Sequence, residues 1–352
     1  MMDNVISDAG LVALVGMFGG ILLGLAARIG RFCTLGAIED LYYGENTLRL
    51  RMWGIAIGVS VIGTFGLSFA GLLDLQQTLY LSRSWNPLAN IFGGLAFGYG
   101  MALAGNCGYG ALARVGGGDL RSLMIVLVMG IFAYMTLGGP LSNLRLSLFG
   151  STEEEQQVTT FAYSLAQALG TSVELAGMAI GLGIVCLTLL SRTLRREPSY
   201  VLWGAVAGVA TVTGWAGTQW VANNGFDATN VVTHTFSAPI GETMLYAMTS
   251  SGNSISFGTG SVIGVILGAF LGSRIKGHFR WEACDDPREL RRQILGAALM
   301  GIGAVVAVGC SIGQGLSAFS VLAFSAPLTL ACILVGAAVG LRQLIVGFSP
   351  SI

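Results

Sequence analysis

The chain has 352 residues, of which 53% are hydrophobic and only 10% are charged, and its formal net charge is zero. Soluble domains carry about 25% charged residues, so this composition excludes an ordinary soluble domain and predicts an integral membrane protein. The net charge itself does not identify a partner. We expect membrane lipid around the protein and no nucleic acid.

Nine apolar segments are long enough to cross a bilayer, which takes roughly 20 residues. In chain order they are 11–31, 53–73, 88–106, 120–138, 174–191, 200–219, 257–273, 293–309 and 327–346. The expected fold is therefore an all-α polytopic membrane protein with about nine transmembrane helices, forming a single transmembrane domain over 1–352.

The basic residues indicate the orientation of these segments. If the N-terminus is outside and the segments alternate, 16 of the 18 Lys and Arg residues lie inside, and only Arg83 and Arg145 lie outside. Cytoplasmic loops of membrane proteins are enriched in Lys and Arg. The predicted orientation therefore has the N-terminus outside and the C-terminus in the cytoplasm.

Four segments repeat one pattern, in which two small residues four positions apart are followed, after eight residues, by a cysteine or its substitute. The four units are Gly20-xxx-Gly24 with Cys33, Gly94-xxx-Gly98 with Cys107, Gly204-xxx-Gly208 with Gly217, and Ala297-xxx-Gly301 with Cys310. A single GxxxG is common in membrane helices, so the shared spacing to the turn residue supports the repeat.

The pattern and the orientation together predict an inverted repeat. The first two units run inward and the last two run outward, so 11–138 forms one half and 200–346 forms the second, inverted half, with 174–191 as connector. Inverted repeats of this kind are typical of transporters, whose substrate sites lie near the membrane midplane between the halves.

Glycines surround the three cysteines. They are Gly36 after Cys33, Gly105 and Gly110 around Cys107, and Gly309 and Gly313 around Cys310. Glycine permits positive φ, and non-helical backbone inside a membrane is tolerated only where protein or water satisfies it. We therefore expect broken or re-entrant helices that meet near the centre and present thiols to the constriction of an hourglass-like pore.

Other side chains near these turns are candidates for contact with an oxyanion. Asn106 and Gln314 flank the turns and could donate amide hydrogens, whereas Thr34 and Thr218 follow the turn positions and could donate hydroxyls.

Two arginines and a histidine have less specific expected roles. Arg28 and Arg31 are expected to anchor the inner end of the first span or to pair with Glu39 and Asp40, and attraction of an anion is the alternative. His234 lies in the long outer segment and is expected to be solvated or locally hydrogen-bonded.

The other three cysteines lack this setting. Cys186 and Cys332 lie within spans, where cysteine behaves as a small hydrophobic residue, and Cys284 lies in a charged inner loop as an exposed cytosolic thiol. The sequence has no CxxC motif, so it gives no sign of a dithiol redox pair or a zinc site. We expect no metal and no cofactor.

Three motifs resemble the YeeE/YedE sulfur-transport family over essentially the whole chain. They are Gly30-Arg31-Phe32-Cys33, Gly105-Asn106-Cys107-Gly108-Tyr109-Gly110 with Gly116-Gly117-Gly118-Asp119-Leu120 downstream, and Gly309-Cys310-Ser311-Ile312-Gly313. The resemblance implies a bacterial inner-membrane importer of thiosulfate in which Cys33, Cys107 and Cys310 pass the ion along through weak S–H···S hydrogen bonds. It also implies that a cytosolic TusA-like sulfurtransferase, if one takes part, is a separate protein.

The chemistry of thiols agrees with this implication. Neutral thiols donate weakly to the soft terminal sulfur of thiosulfate, and weak contacts at successive sites let an ion leave as well as bind. The favoured function is therefore a transporter and not an enzyme. Three alternatives stay open. One is a membrane thiol enzyme for sulfur transfer or disulfide exchange, which needs two cysteines close enough to bridge. Another is a transporter or channel for another sulfane-sulfur or selenium species, and the third is an anion channel or signalling protein whose cysteines sense sulfur compounds. The coupling ion and the oligomeric state are also open.

Overall fold

A computed structural model describes residues 7–83, 85–150, 160–226, 229–282 and 287–346. Within these ranges the chain forms fifteen α-helices and isolated β-bridges but no strand. The helices are α1 Asp8–Arg28, α2 Thr34–Tyr42, α3 Leu48–Phe69, α4 Pro87–Ala104, α5 Gly108–Gly116, α6 Leu120–Leu137, α7 Ser142–Phe149, α8 Phe161–Leu169, α9 Val173–Leu189, α10 Arg192–Arg196, α11 Pro198–Asn224, α12 Ser237–Thr249, α13 Phe257–Ile275, α14 Pro287–Val306 and α15 Ser325–Val346. The all-α prediction is confirmed.

Each of the nine predicted spans falls on one of the long helices α1, α3, α4, α6, α9, α11, α13, α14 and α15. Among the described residues, seven helical stretches are long and apolar enough to cross a membrane, and an eighth is the pair α8–α9, which is bent by 110°. Helix α14 is not in this set because its first turns carry Arg288, Glu289, Arg291 and Arg292. The protein is a polytopic helical membrane protein.

The helix ends follow from local sequence. Asn86 caps α4 by accepting a hydrogen bond from the Ala89 amide, and Pro87 occupies the first helical turn, where its missing N–H costs nothing. Asp119 caps α6 by accepting from the amides of Arg121 and Ser122. Such caps satisfy backbone donors that have no partner inside the helix.

The repeated small residues form close helix contacts. On α1, Gly20 and Gly24 lie against backbone carbonyls of α13, and on α4 Gly98 lies against the backbone of α15, so that a Cβ at any of the three would overlap with its neighbour. In the same way Gly208 of α11 lies against α3, and Gly301 of α14 lies against α6. Small residues thus let these helix backbones approach one another closely.

The fourth predicted turn is wrong. Helix α11 continues through Gly217 to Asn224, and Gly217 packs against the Val15 side chain of α1. The chain returns through an irregular segment before α12 begins at Ser237. The Gly217 position is therefore a helix-packing site and not a break, because glycine there leaves room for a neighbouring helix.

The remaining cysteines differ in exposure. Cys332 of α15 is half-buried beside Gly94 of α4, as expected for a packing residue, whereas Cys186 is exposed on the surface of α9 and is not the buried residue that the sequence suggested. Cys284 lies outside the described residues.

Candidate functional site

The turns that carry Cys33, Cys107 and Cys310 meet in the interior of the protein. Cys33 immediately precedes α2, and Cys107 immediately precedes α5. Cys310 precedes a helical segment over 311–320 that contains a π-helical stretch, Gly313–Ala318. Cys33 Sγ and Cys107 Sγ both lie next to Gly110, and Cys107 and Cys310 belong to one buried cluster against which Cys33 packs. The three turns therefore lie side by side.

Two of the thiols cap helix N-termini. The Gly110 amide donates to Cys107 Sγ over 3.3 Å, and the Gly313 amide donates to Cys310 Sγ over 3.5 Å. The positive ends of both helices therefore point towards sulfur. Because each amide donates to a sulfur lone pair, each S–H hydrogen is free to point elsewhere.

Gly110 and Gly313 lie three positions after Cys107 and Cys310. Each of these glycines lies next to a thiol or hydroxyl group from another part of the chain. An ideal Cβ at Gly110 would lie 3.5 Å from Cys107 Sγ and 3.8 Å from Cys33 Sγ. At Gly313 it would lie 2.6 Å from Thr235 Oγ1 and 3.0 Å from Tyr80 Oη. Glycine at both positions keeps open the space beside the sulfur atoms.

A left-handed residue stands two positions before every one of the three cysteines. The φ angles are +56° at Arg31, +74° at Gly105 and +56° at Val308. Gly309 also has a positive φ, of +153°. A left-handed conformation costs roughly 1–2 kcal/mol at a residue that has a Cβ. The sequence does not indicate this feature at Arg31 and Val308, because only position 105 carries the glycine that signals it.

A basic cavity of about 300 Å³ reaches Cys33, Asn106 and Gly110. We call it the Cys33 cavity. Its basic lining residues are Arg28, Arg31, Arg49, Arg114 and Lys276. Glu39 also lines it, and partial burial raises the pKa of this carboxyl group. The cavity therefore favours anions.

A second cavity, of about 620 Å³, reaches Thr235 and Gly309, which precedes Cys310. We call it the Tyr80 cavity, and Arg83, Arg145 and Glu242, which accepts a hydrogen bond from Ser256, also line it. A neighbouring cavity of about 340 Å³ shares Tyr80 and both arginines and reaches Gln314.

The two named cavities lie at opposite ends of the same helices. On α1, Ala9 lines the Tyr80 cavity and Arg28 lines the Cys33 cavity. At 1.5 Å per residue these positions are about 28 Å apart along the helix axis. On α13, Phe257 lines the Tyr80 cavity and Gly272 lines the Cys33 cavity. Cys33 lines one cavity, and Gly309, next to Cys310, lines the other.

Aromatic rings pack around these turns. The rings of Phe32 and Trp53 are stacked with centroids 4.6 Å apart, Tyr109 lies edge-on to Phe32, and Phe236 lies 5.4 Å from Tyr109. Tyr109 also donates a hydrogen bond to the Leu23 carbonyl over 2.6 Å. Phe32, Tyr109 and Phe236 are buried, so this region is tightly packed and apolar except for its sulfur atoms and hydroxyls.

The predicted amide and hydroxyl donors have different surroundings. Asn106 is buried and lines the Cys33 cavity. Gln314 donates from Nε2 to the carbonyls of Ala307 and Val308, over 2.9 and 3.1 Å. Its amide hydrogens therefore stabilise the turn before Cys310 and are not free for an oxyanion, contrary to the prediction. Thr34 is buried, its Oγ1 has no hydrogen-bond partner among the described residues, and it is not among the residues that line the two named cavities.

Thr218 and His234 are both engaged within the protein. Thr218 donates to the Val232 carbonyl and accepts from the Val232 amide, so it holds the segment after α11 in place and is not a free donor for an oxyanion. His234 is fully buried rather than solvated, and its Nδ1 lies 2.7 Å from Ser261 Oγ, so the hydrogen-bonded alternative of its prediction holds. Its ring fills the space that Gly19 leaves on α1.

Arg28 forms no ion pair with a carboxylate of the described residues, so its predicted pairing with Glu39 or Asp40 is wrong, whereas its anchoring role stays a prediction. Its Nε donates to Ser273 Oγ over 2.7 Å, and Asp40 instead pairs with Arg49 at 3.2 Å. The Arg28 side chain thus leaves positive charge in the Cys33 cavity.

Two arginine-lined cavities, one reaching Cys33 and the other reaching Gly309 beside Cys310, suit a membrane transporter. The chain belongs to the Sulphur transport family, whose sequence profile matches residues 29–339. It is 27% identical over 326 residues to the thiosulfate transporter TsuA of Escherichia coli (strain K12), an alignment that covers 86% of each chain. It is also 27% identical over 319 residues to the thiosulfate transporter TsuA of Spirochaeta thermophila, with 88% of this chain and 92% of that protein covered. These matches confirm the resemblance to the YeeE/YedE family and a transporter rather than an enzyme.

Proposed function

We propose that this protein imports thiosulfate across the bacterial inner membrane by passing it from the Tyr80 cavity to the Cys33 cavity along Cys310, Cys107 and Cys33. The observation that carries the proposal is that cavities at opposite ends of α1 and α13 end at these cysteine turns. The two relatives named as thiosulfate transporters support the choice of substrate.

The proposed direction follows from the charge bias of the sequence. With the N-terminus outside and the C-terminus in the cytoplasm, the start of α1 and the Tyr80 cavity face outward, and the Cys33 cavity faces the cytoplasm. Arg83 and Arg145, the two basic residues that this orientation leaves outside, both line the Tyr80 cavity. They would raise the local concentration of a dianion at the outer mouth.

Helix packing supports an inverted repeat of 11–138 and 200–346 joined by 174–191. In such a repeat, α1, α3, α4 and α6 would be equivalent, in this order, to α11, α13, α14 and α15. The packing of α1 on α13 would then be equivalent to the packing of α11 on α3. Likewise α4 against α15 corresponds to α14 against α6. These four pairs are also the contacts made by the repeated small residues. An hourglass-like pore would then lie on the axis that relates the halves.

Neutral thiols suit the passage of this anion. The terminal sulfur of thiosulfate is soft, and a protonated thiol offers a weak S–H donor without negative charge. The Gly110 and Gly313 amides already bond to sulfur, so each S–H hydrogen can point along the path. Weak contacts in series allow release at each step, which conduction requires.

The uptake experiment must distinguish thiosulfate import from two alternatives. Related sulfane-sulfur or selenium anions would fit the same chemistry, and a separate TusA-like sulfurtransferase would receive the imported sulfur. Cys33 Sγ and Cys107 Sγ both lie next to Gly110, and two neighbouring cysteines are what a thiol enzyme would need. Transport must therefore be measured together with the integrity of the S–S bond of the substrate.

The test is uptake of labelled thiosulfate into proteoliposomes, followed by chemical analysis of the anion inside. We expect intact thiosulfate to accumulate with the native protein and with Cys332→Ala as a control. Cys107→Ala and Cys310→Ala should lose at least nine-tenths of the uptake while remaining folded. Equal loss in the control would indicate a general packing effect, and cleaved substrate inside would support the enzyme alternative.

A further inference from the structure

Tyr80 and Thr235 place two hydroxyl groups beside Cys310. Thr235 Oγ1 lies 3.7 Å from Cys310 Sγ, and Thr235 Oγ1 and Tyr80 Oη would lie 2.6 and 3.0 Å from an ideal Cβ at Gly313. Both hydroxyls face the α-carbon of Gly313, where a side chain would displace them. Neither residue stood out in the sequence, because Tyr80 lies in the connection between α3 and α4 and Thr235 lies in the irregular segment before α12.

Both side chains are accessible from one cavity. Tyr80 and Thr235 are half-buried, and they line the Tyr80 cavity together with Arg83 and Arg145. An anion in this cavity would therefore meet two neutral hydroxyl donors and two guanidinium groups before it reaches the first thiol.

The place of Thr235 in the fold resembles that of Cys33. Cys33 lies just before α2, and its Sγ lies next to Gly110 together with the Sγ of Cys107, which caps α5. Thr235 lies shortly before α12 and contacts Cys310, which precedes the helical segment 311–320. Thr235 therefore occupies the fourth turn position that the sequence spacing had assigned to Gly217, and it brings an oxygen where the other three bring sulfur.

We propose that the hydroxyls of Tyr80 and Thr235 form an oxyanion-binding site that donates to two of the sulfonate oxygens of thiosulfate, with the terminal sulfur directed at Cys310. This proposal rests on the proposed function. Hydroxyls are stronger hydrogen-bond donors than thiols and match hard oxygens, whereas the thiol beyond them matches the soft sulfur. The sulfonate end of thiosulfate thus faces the hydroxyl donors, and its terminal sulfur faces the thiol of Cys310.

The site also explains why the donors are neutral. The guanidinium groups attract the dianion to the cavity, but hydrogen bonds from two hydroxyls let it leave for the next site. A hydrogen bond to a charged group contributes about 1.5–3 kcal/mol, so loss of one hydroxyl should weaken binding by roughly 10- to 150-fold.

The experiment measures initial uptake against external thiosulfate concentration for Tyr80→Phe, Thr235→Val and Thr235→Ser. We expect the apparent KM to rise at least tenfold for the first two and to stay within threefold of native for Thr235→Ser, which keeps the hydroxyl. The maximal rate should stay within threefold of native, because all three thiols are present. Matched controls are Tyr99→Phe and Thr211→Val, whose hydroxyls bond to Gln343 and to the Ala207 carbonyl.

The outcomes separate this proposal from the one on which it rests. If native protein takes up thiosulfate and Cys310→Ala does not, but Tyr80→Phe and Thr235→Val keep the native KM, only the oxyanion site is wrong. If the native protein does not take up thiosulfate, the proposed function fails first. A variant that fails to fold, as judged by gel filtration and thermal unfolding, is replaced by the other one, since each removes one of the two hydroxyls.

Discussion

Replacing Gly110 with alanine is the smallest change that tests passage beside the thiols. An ideal Cβ at this position lies 3.5 Å from Cys107 Sγ and 3.8 Å from Cys33 Sγ, which are ordinary van der Waals distances. The methyl group therefore fits the resting protein without displacing any neighbour. It nevertheless takes up space next to both sulfur atoms, where the proposed path runs.

Stability and transport should respond in opposite directions to this change. Gly110 is the third residue of α5, and alanine is favoured over glycine in a helix by roughly 0.5–1 kcal/mol. The folded protein should therefore be at least as stable as the native one. A methyl group that the anion must pass acts as overpacking during passage and should cost about 1–3 kcal/mol. That barrier corresponds to roughly 5- to 150-fold slower transport.

The assay is thiosulfate uptake into proteoliposomes at equal protein content, with thermal unfolding in detergent measured in parallel. Gly183→Ala is the matched control, because a Cβ at Gly183 in α9 has no neighbouring atom within 4 Å among the described residues. The control should transport at the native rate. Native uptake by Gly110→Ala, in protein of native stability, would refute a path beside Cys33 and Cys107.

Three other predictions test selectivity, strain and orientation. Cys310→Ser should lose thiosulfate uptake without gaining sulfate uptake, because an oxygen donor replaces the soft one; strong competition by excess sulfate in the native protein would indicate selection by size and charge instead. Val308→Gly should raise the free energy of unfolding by up to about 1 kcal/mol, because the φ of +56° is unfavourable for valine; a large loss of stability would mean that the valine side chain outweighs the strain. In a variant with Cys284 as its single cysteine, an impermeant maleimide added to intact cells should leave the protein unlabelled, and labelling would reverse the proposed orientation.

The membrane fold was predictable because its signal is distributed over the whole chain. Long apolar segments and few charges determine where helices can form, and the long helices lie where the sequence indicated. The exact number of spans was less predictable. Helix α14 combines an apolar second half with a first turn rich in arginine, so its classification depends on how much of the helix is counted.

The fourth turn was not predictable from spacing, because glycine has two uses in this protein. Gly204 and Gly208 lie where α3 approaches α11 closely, and Gly217 serves α1 in the same way, so none of them ends the helix. The residue that contacts Cys310 comes 18 positions later, after the helix has ended at Asn224. No local pattern in the sequence distinguishes Thr235 from other threonines of the chain. Its position is determined by tertiary contacts such as the bond between Thr218 and Val232.

The left-handed residues before the cysteines connect backbone strain to the two cavities. Gly105 adopts its φ of +74° at no steric cost, but Arg31 and Val308 adopt theirs against a penalty of roughly 1–2 kcal/mol each. Strained conformations of this kind persist only where the surrounding structure holds them, and they concentrate at functional sites. At Val308 the two hydrogen bonds from Gln314 hold the turn. Both side chains line cavities, Arg31 on the Cys33 side and Val308 on the Tyr80 side. Glycine at either position would relieve the strain. It would also remove the Arg31 guanidinium group from the Cys33 cavity or the apolar Val308 side chain from the Tyr80 cavity. We therefore infer that these side chains are needed at the two ends of the proposed path.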